Sequence, residues 1–254
     1  MRIHHIRNAT MIIETDTDRI LVDPMLGPKG SLPAFTYFRF RARRNPIVDL
    51  PEHTGEVLKG ITHCLITHRH PDHIDESGIA FLKKHKIPVT CSALDETFFK
   101  DKGLHIVQVL QYGQPTDFLG GSITGIPALH GYGYIAKRMG KVMGFFIKLP
   151  GAPSVYLSSD TVYTSDVDKV LKTLAPDLSV VACGSAQMDF FKPILMTSED
   201  IVRFIRNAPG KVIANHLEAV NHCPTTREKL KEILKAKGLL EKTWIPADGE
   251  KMEM

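Results

Sequence analysis

One six-residue stretch, His68-Arg69-His70-Pro71-Asp72-His73, restricts the folds open to this chain more than any other. It puts three imidazoles and a carboxylate directly after residues 62–67, a short apolar run with the character of a buried strand. On a loop leaving such a strand, His68 and His70 can point to one side while Asp72 and His73 turn to a second point. Crowded imidazoles repel one another when protonated, and a buried carboxylate is costly without a positive partner. A pair of divalent cations resolves both problems. The stretch therefore belongs at the mouth of a cleft, where further ligands can reach it.

Three more residues fit that requirement. His130 ends the apolar run 123–129, Asp160 follows 155–159, and His216 follows 211–215. Each sits just after a predicted strand, and strand ends on one edge of a sandwich can converge on one cleft. Further strands are expected at 2–6, 10–15, 19–23, 87–91, 104–110, 115–119, 122–128, 142–149, 154–158 and 178–182. Helical signals cover 75–85, 93–101 and 165–175. Thr197-Ser198-Glu199-Asp200 opens another helix with a cap residue and early acids. Thr225-Thr226-Arg227-Glu228 reads as a capping box for a last helix ending at Gly238. Strands in bulk, with helices in both halves, predict an α/β fold of αββα type: two mixed sheets packed together with helices outside. The chain reads as one domain over residues 1–254. A long Pro- and Gly-rich segment at 24–59 interrupts it, expected to be a functional or oligomer-contact loop.

Composition removes other classes. Of 254 residues 43% are apolar and the net charge is only +4, which excludes a mainly disordered chain. No stretch approaches the ~18 apolar residues of a membrane helix, so no membrane partner is expected. The start has no apolar core of a secretory signal. Four scattered cysteines without a C-x-x-C pair exclude a disulfide framework and a cysteine-type zinc site, and fit the cytoplasm. G-x-G-x-x-G, P-loop and G-x-S-x-G motifs are all absent.

His68-x-His70-x-Asp72-His73, followed by His130, Asp160 and His216, resembles the metallo-β-lactamase superfamily. The opening segments Asn8-Ala9-Thr10-Met11-Ile12-Ile13-Glu14 and Ile20-Leu21-Val22-Asp23-Pro24 match that family's first strands. The length and Asp23-Pro24 make the chain most similar to the L-ascorbate-6-phosphate lactonase-like branch. The resemblance implies a dinuclear metal-dependent hydrolase. His68, His70 and His130 would hold one ion, Asp72, His73 and His216 the other, and Asp160 would bridge them. These are N and O donors only, suited to zinc or manganese. Arg69 stands where the oxygen-reducing di-iron branch has a carboxylate, which argues against redox chemistry. Asp72 would also orient the attacking hydroxide.

Secondary candidates surround this set. His222 reads as a proton donor to the leaving group, a substrate contact, a rival to His216 as ligand, or an ordinary loop histidine. Asp23 is expected to support ligand loops by hydrogen bonds, and His63 to be structural. His4, His5, His53, His85 and His105 are expected mostly at the surface. Tyr132, Tyr134 and Ser185 are candidates for the cleft mouth. Residues 35–44 carry four aromatics and four arginines. They suit a small anionic substrate, with nucleic acid second and a subunit contact as the alternative. The expected reaction is hydrolysis of a small anionic ester or lactone, phosphorylated or not. A nuclease or phosphodiesterase on the same site ranks second, and a non-catalytic metal-binding protein third.

Overall fold

Alternating side chains make both sheets of this protein buried on two faces. The computed structural model describes residues 1–254. Its strands are β1 (Arg2–Arg7), β2 (Thr10–Glu14), β3 (Arg19–Val22), β4 (His63–Ile66), β5 (Val89–Ser92), β6 (Ile106–Leu110), β7 (Pro115–Phe118), β8 (Gly121–Leu129), β9 (Lys141–Lys148), β10 (Val155–Leu157), β11 (Leu178–Ala182), β12 (Lys211–Asn215), β13 (Thr243–Trp244) and β14 (Lys251–Glu253). They form two seven-stranded sheets, ordered β14-β1-β2-β3-β4-β5-β6 and β13-β12-β11-β10-β9-β8-β7. In each sheet a run of antiparallel pairs gives way to parallel ones, at β3–β4 and at β10–β11.

The layers follow from period-2 patterning. Ile20 and Val22 of β3 face the other sheet and pack in one cluster with Phe145, Ile147, Val180 and Ile213. Leu21, between them, turns outward to Ile79, Leu82 and Phe99. The helices are α1 (Thr54–Val57), α2 (Glu76–His85), α3 (Glu96–Asp101), α4 (Tyr134–Met139), α5 (Ser165–Lys169), α6 (Ser198–Asn207) and α7 (Arg227–Ala236). Helices α2 and α3 cover the first sheet, while α5, α6 and α7 cover the second through Val167, Phe204, Ile205, Leu230 and Leu234. This is the αββα sandwich expected. No helix is long and apolar enough to cross a membrane.

Several local expectations need correcting. The α7 cap is Thr226, whose hydroxyl accepts from Lys229 N, and not Thr225. Thr225 is buried and its N–H is committed to Gly184 O at 3.2 Å, so the box shifts by one residue. Residues 165–175 are α-helical only to Lys169 and widen into a π-helical turn over Val170–Leu174. The Gly-rich stretch after His130 contains α4. His4 and His5 are buried, because β14 covers β1 and Asp248 reaches His5 Nε2 at 3.3 Å. His53, His85 and His105 are exposed.

The segment between β3 and α1 has no regular structure beyond one bridge, Leu32–Asn45, but it is pinned. Buried Arg7 donates to the carbonyls of Met25, Gly27 and Val48 at 2.8–3.1 Å. Buried Asn221 accepts from Phe35 N and Asn45 Nδ2 and donates to Thr36 O.

His63 is buried against Phe118, with Nε2 2.8 Å from Thr90 Oγ1. Thr90 donates its hydroxyl proton to Gln108, so His63 Nε2 is the donor to Thr90 Oγ1. Burial pushes its pKa down to about 4. In the unfolded chain this group binds a proton near 6.5. The unfolded state therefore takes up the proton first as pH falls. The stability tied to a neutral His63 is complete above pH 6.5 and is lost towards pH 4, by up to about 3 kcal/mol. Urea unfolding at pH 7 and 4.5 should show a smaller acid loss for His63→Gln than for the wild type. Equal losses would contradict this account.

Candidate metal centre

Seven donor side chains leave the same edge of the sandwich. His68, Asp72 and His73 lie on the loop after β4, with His70 beside them. His130 follows β8, Asp160 lies three residues past β10, and His216 follows β12. The structure brings them into two groups. His68, His70 and His130 form one. Asp72, His73, Asp160 and His216 form the other, and within each group the donor atoms lie within 4.8 Å of one another. Asp160 faces both: Oδ2 is 3.4 Å from His130 Nε2 and 3.6 Å from His216 Nε2, and Oδ1 is 3.2 Å from His73 Nε2. Asp72 Oδ2 lies 3.3 Å from His216 Nε2.

Backbone geometry fixes these positions. Asn8 ties the halves together, since its side chain donates to Asp72 O and its own carbonyl accepts from His216 N, both at 2.9 Å. Asn8 and His216 both adopt positive φ, a turn out of a strand that Asn tolerates well. Gly184 sits against the His216 carbonyl, which a Cβ would meet at 2.4 Å, so no larger residue fits there.

The imidazoles are aimed by their other nitrogens. His73 Nδ1 is 2.8 Å from Asp23 Oδ2, His130 Nδ1 2.9 Å from Ile194 O, and His68 Nδ1 3.0 Å from Thr67 Oγ1. Thr67 donates its own proton to Asp23, so its oxygen is free to accept from His68. His216 Nδ1 faces Cys223 Sγ at 3.5 Å. With Nδ1 engaged, each ring turns Nε2 inward. The Nε2 atoms of His68, His73 and His216 and the Oδ1 of Asp160 are buried without a hydrogen-bond partner. An unmet buried polar atom costs roughly 1–3 kcal/mol. A convergent group of them is what a cation's coordination shell looks like from the protein side, and these donors fit a divalent metal pair.

The electrostatics agree. Burial opposes ionisation of Asp72, but the neighbouring imidazoles of His216 and His73 hold its carboxyl well below the usual range. Burial likewise opposes charge on His73, yet Asp160 and Asp23 raise it to about 10. The carboxylates thus demand positive charge at their centre. At the other group, burial and then the neighbouring imidazoles push His68 down, and burial takes His130 to about 4. Those rings are neutral, with lone pairs available.

Other candidates separate clearly. His222 lies outside both groups, its ring 6.4 Å from that of His216 and edge-on to Phe35 at 5.1 Å. Asp23 supports Thr67 and His73, as anticipated. Tyr132 is anchored to Asp200 through its hydroxyl, while Tyr134 is exposed beside Phe191. Ser185 is buried with an unpartnered hydroxyl. In the arginine-rich segment, Arg39 is tied to Met188 O and Gln187, and Arg44 to Gly30 O. Arg41 and Arg43 are exposed and do not line the cavity at His68 and His70. Asn221 and Gly184 carry no sequence signal of their own, and Asn8 is marked only as part of the opening segment.

A family model described as a β-lactamase superfamily domain matches residues 18–216. UPF0173 protein YddR of Bacillus subtilis is 33% identical over 252 residues, 98% of either chain. A possible metal-dependent hydrolase from Veillonella parvula has a similar structure, with a TM-score of 0.91 at 30% identity, covering 100% of this chain and 99% of its own. The isothiocyanate hydrolase from Delia radicum gut bacteria reaches 0.91 at 29% identity with the same coverage.

Asp160→Ala should be the most damaging single change to metal binding, since Asp160 faces both groups. Asp23→Asn keeps every donor but loosens His73, and should weaken zinc binding about 10–100-fold. Titration of metal-free protein against a chromophoric chelator measures both. Affinities for the two variants equal to that of the exposed-site control Asp16→Ala would refute the assignment.

Proposed function

Because the chain belongs to the β-lactamase superfamily, and within it to the UPF0173 family, we propose that it is a dinuclear metal-dependent hydrolase of a small anionic ester or lactone, phosphorylated or not. The supporting observation is the pair of facing donor groups with Asp160 between them, beside a cavity of about 530 Å³ that reaches His68 and His70. That volume suits a small molecule. A lactonase-like activity in the cytoplasm is the finer form of the reading, and the four unpaired cysteines fit that compartment.

His68, His70 and His130 would hold one ion, Asp72, His73 and His216 the second, and Asp160 both. Zinc and manganese suit this donor set. When bound, two such ions supply a water acidified to near neutrality and a Lewis acid for the substrate oxygen. The chain's own residues do the rest. Asp23, Thr67 and the Ile194 carbonyl keep the rings in the tautomer that presents Nε2. Asp72 turns one oxygen to His216, leaving the other to orient the attacking group. His222 would contact the leaving group. Burial holds its pKa at about 4, so it serves as a neutral N–H donor, with Phe35 against its ring to exclude water.

A second reading has its own support. Phe38, Phe190, Tyr37 and Tyr134 are exposed aromatics, with Phe38 against Phe190 and Tyr134 against Phe191. An apolar surface of that kind, with 29% identity to an isothiocyanate hydrolase, suits an uncharged substrate with an electrophilic carbon. The same patch is where a second copy of the chain would dock if the protein self-associates. Nucleic acid ranks lower as a partner, since Arg39 and Arg44 are spent within the protein.

Zinc- or manganese-reconstituted protein should turn over a member of a panel of lactones, esters, aryl isothiocyanates and phosphodiesters. On the best ester or lactone, His222→Ala should lower kcat by about 10²-fold or more with metal content unchanged. His216→Ala should lose an ion. Preferential cleavage of phosphodiesters would favour the nuclease alternative. Normal kcat in His222→Ala on a poor leaving group would remove that residue from the mechanism.

A further inference from the structure

The cavity that reaches His68 and His70 is lined by none of the arginines of segment 35–44, but by three other cations. The cavity at His68 and His70 is lined by Arg69, Arg138 and Lys141, with Phe98 and Leu94 among its apolar residues. Its only carboxylate is Asp95, and that is already engaged, with Oδ1 3.4 Å from Arg69 Nε. Arg69 also lies over the Phe98 ring, its Cζ 5.6 Å from the centroid. Arg138 and Lys141 carry no ion-pair partner and bracket Gly140, at the end of α4 and the start of β9. The link to the donors is direct: Arg69 stands between His68 and His70, and both histidines line this same cavity.

We propose that this cavity is the anion-recognition subsite of the enzyme: Arg138 and Lys141 hold an oxyanion group of the substrate, and Phe98 and Leu94 take the adjoining hydrocarbon. The proposal rests on the hydrolase reading and specifies its substrate class. Three cations against one engaged carboxylate leave net positive charge facing a partly enclosed volume, where charge-assisted hydrogen bonds are stronger than on open surface. Arginine offers a fork that matches a carboxylate or a phosphate, and lysine adds a mobile point charge. An aromatic face beside them favours a flat or ring-bearing stem over a bare inorganic ion.

The test is binding, so that it does not depend on turnover. Titration calorimetry on zinc-reconstituted protein compares 4-methoxybenzoate with its neutral isostere 4-methoxybenzamide. The wild type should bind the acid at least 10-fold more tightly. Arg138→Gln with Lys141→Gln should reduce that preference to within twofold at unchanged metal content and circular dichroism. Arg138→Lys alone should retain most of it, which separates lost charge from lost fold. No preference in the wild type would overturn the proposal. So would a preference that survives the double substitution, as expected if the carboxylate sits on the metals, or one abolished instead by Arg41→Ala with Arg43→Ala. If the preference behaves as expected while no ester or lactone is hydrolysed, the anion subsite stands and the ester or lactone reading falls.

Discussion

The buried carboxylate of Asp160 is the constraint around which the rest of this structure is arranged. It lies between imidazoles from three separate strand ends, within 3.2–3.6 Å of His73, His130 and His216. An ionised carboxylate taken so far from water needs positive charge close by. The protein alone provides it only by protonating His73 and His216, which then cannot act as ligands. Bound divalent cations would give the same compensation while leaving these rings neutral as ligands. The orphaned inward nitrogens and the close acid–imidazole contacts both fit a site that would hold cations.

Sheet architecture makes that convergence possible. A sandwich whose strands end together on one edge can bring Asp23, His73, Asp160 and His216 into a chain of contacts of 2.8–3.6 Å although they are far apart in sequence. Precision then comes from groups behind the donors. Asn8 couples the His-rich loop to the end of β12, and Asp23 couples β3 to that same loop. Arg7 and Asn221 hold the long segment after β3 against the body of the protein, which sets the Phe35 ring edge-on to His222.

Much of this was legible in the sequence, for definite reasons. Seven donors could be picked out because each follows an apolar run, and the sandwich could be inferred because alternation and turn residues report strands locally. What stayed hidden depends on distant contacts. His4 and His5 look like surface residues until β14 is known to cover β1, which no local pattern reveals. The α7 cap moved because Thr225 is claimed by Gly184, over 40 residues away. The arginines of residues 35–44 resemble an anion site by composition, yet Arg39 and Arg44 hold loops in place, and the cations that line the cavity come from α4, β9 and the motif itself. Helix α4 was masked by the glycines that flank it.

The most direct test of the account is anomalous diffraction from crystals of the zinc-loaded protein, collected on both sides of the zinc edge. Two peaks are expected, about 3.5–4 Å apart as in two-metal hydrolytic sites. One should lie among His68, His70 and His130, the other among Asp72, His73 and His216, with Asp160 between them. A single peak, or peaks that avoid Asp160 at full occupancy, would contradict the claim that this carboxylate is held for a pair of cations.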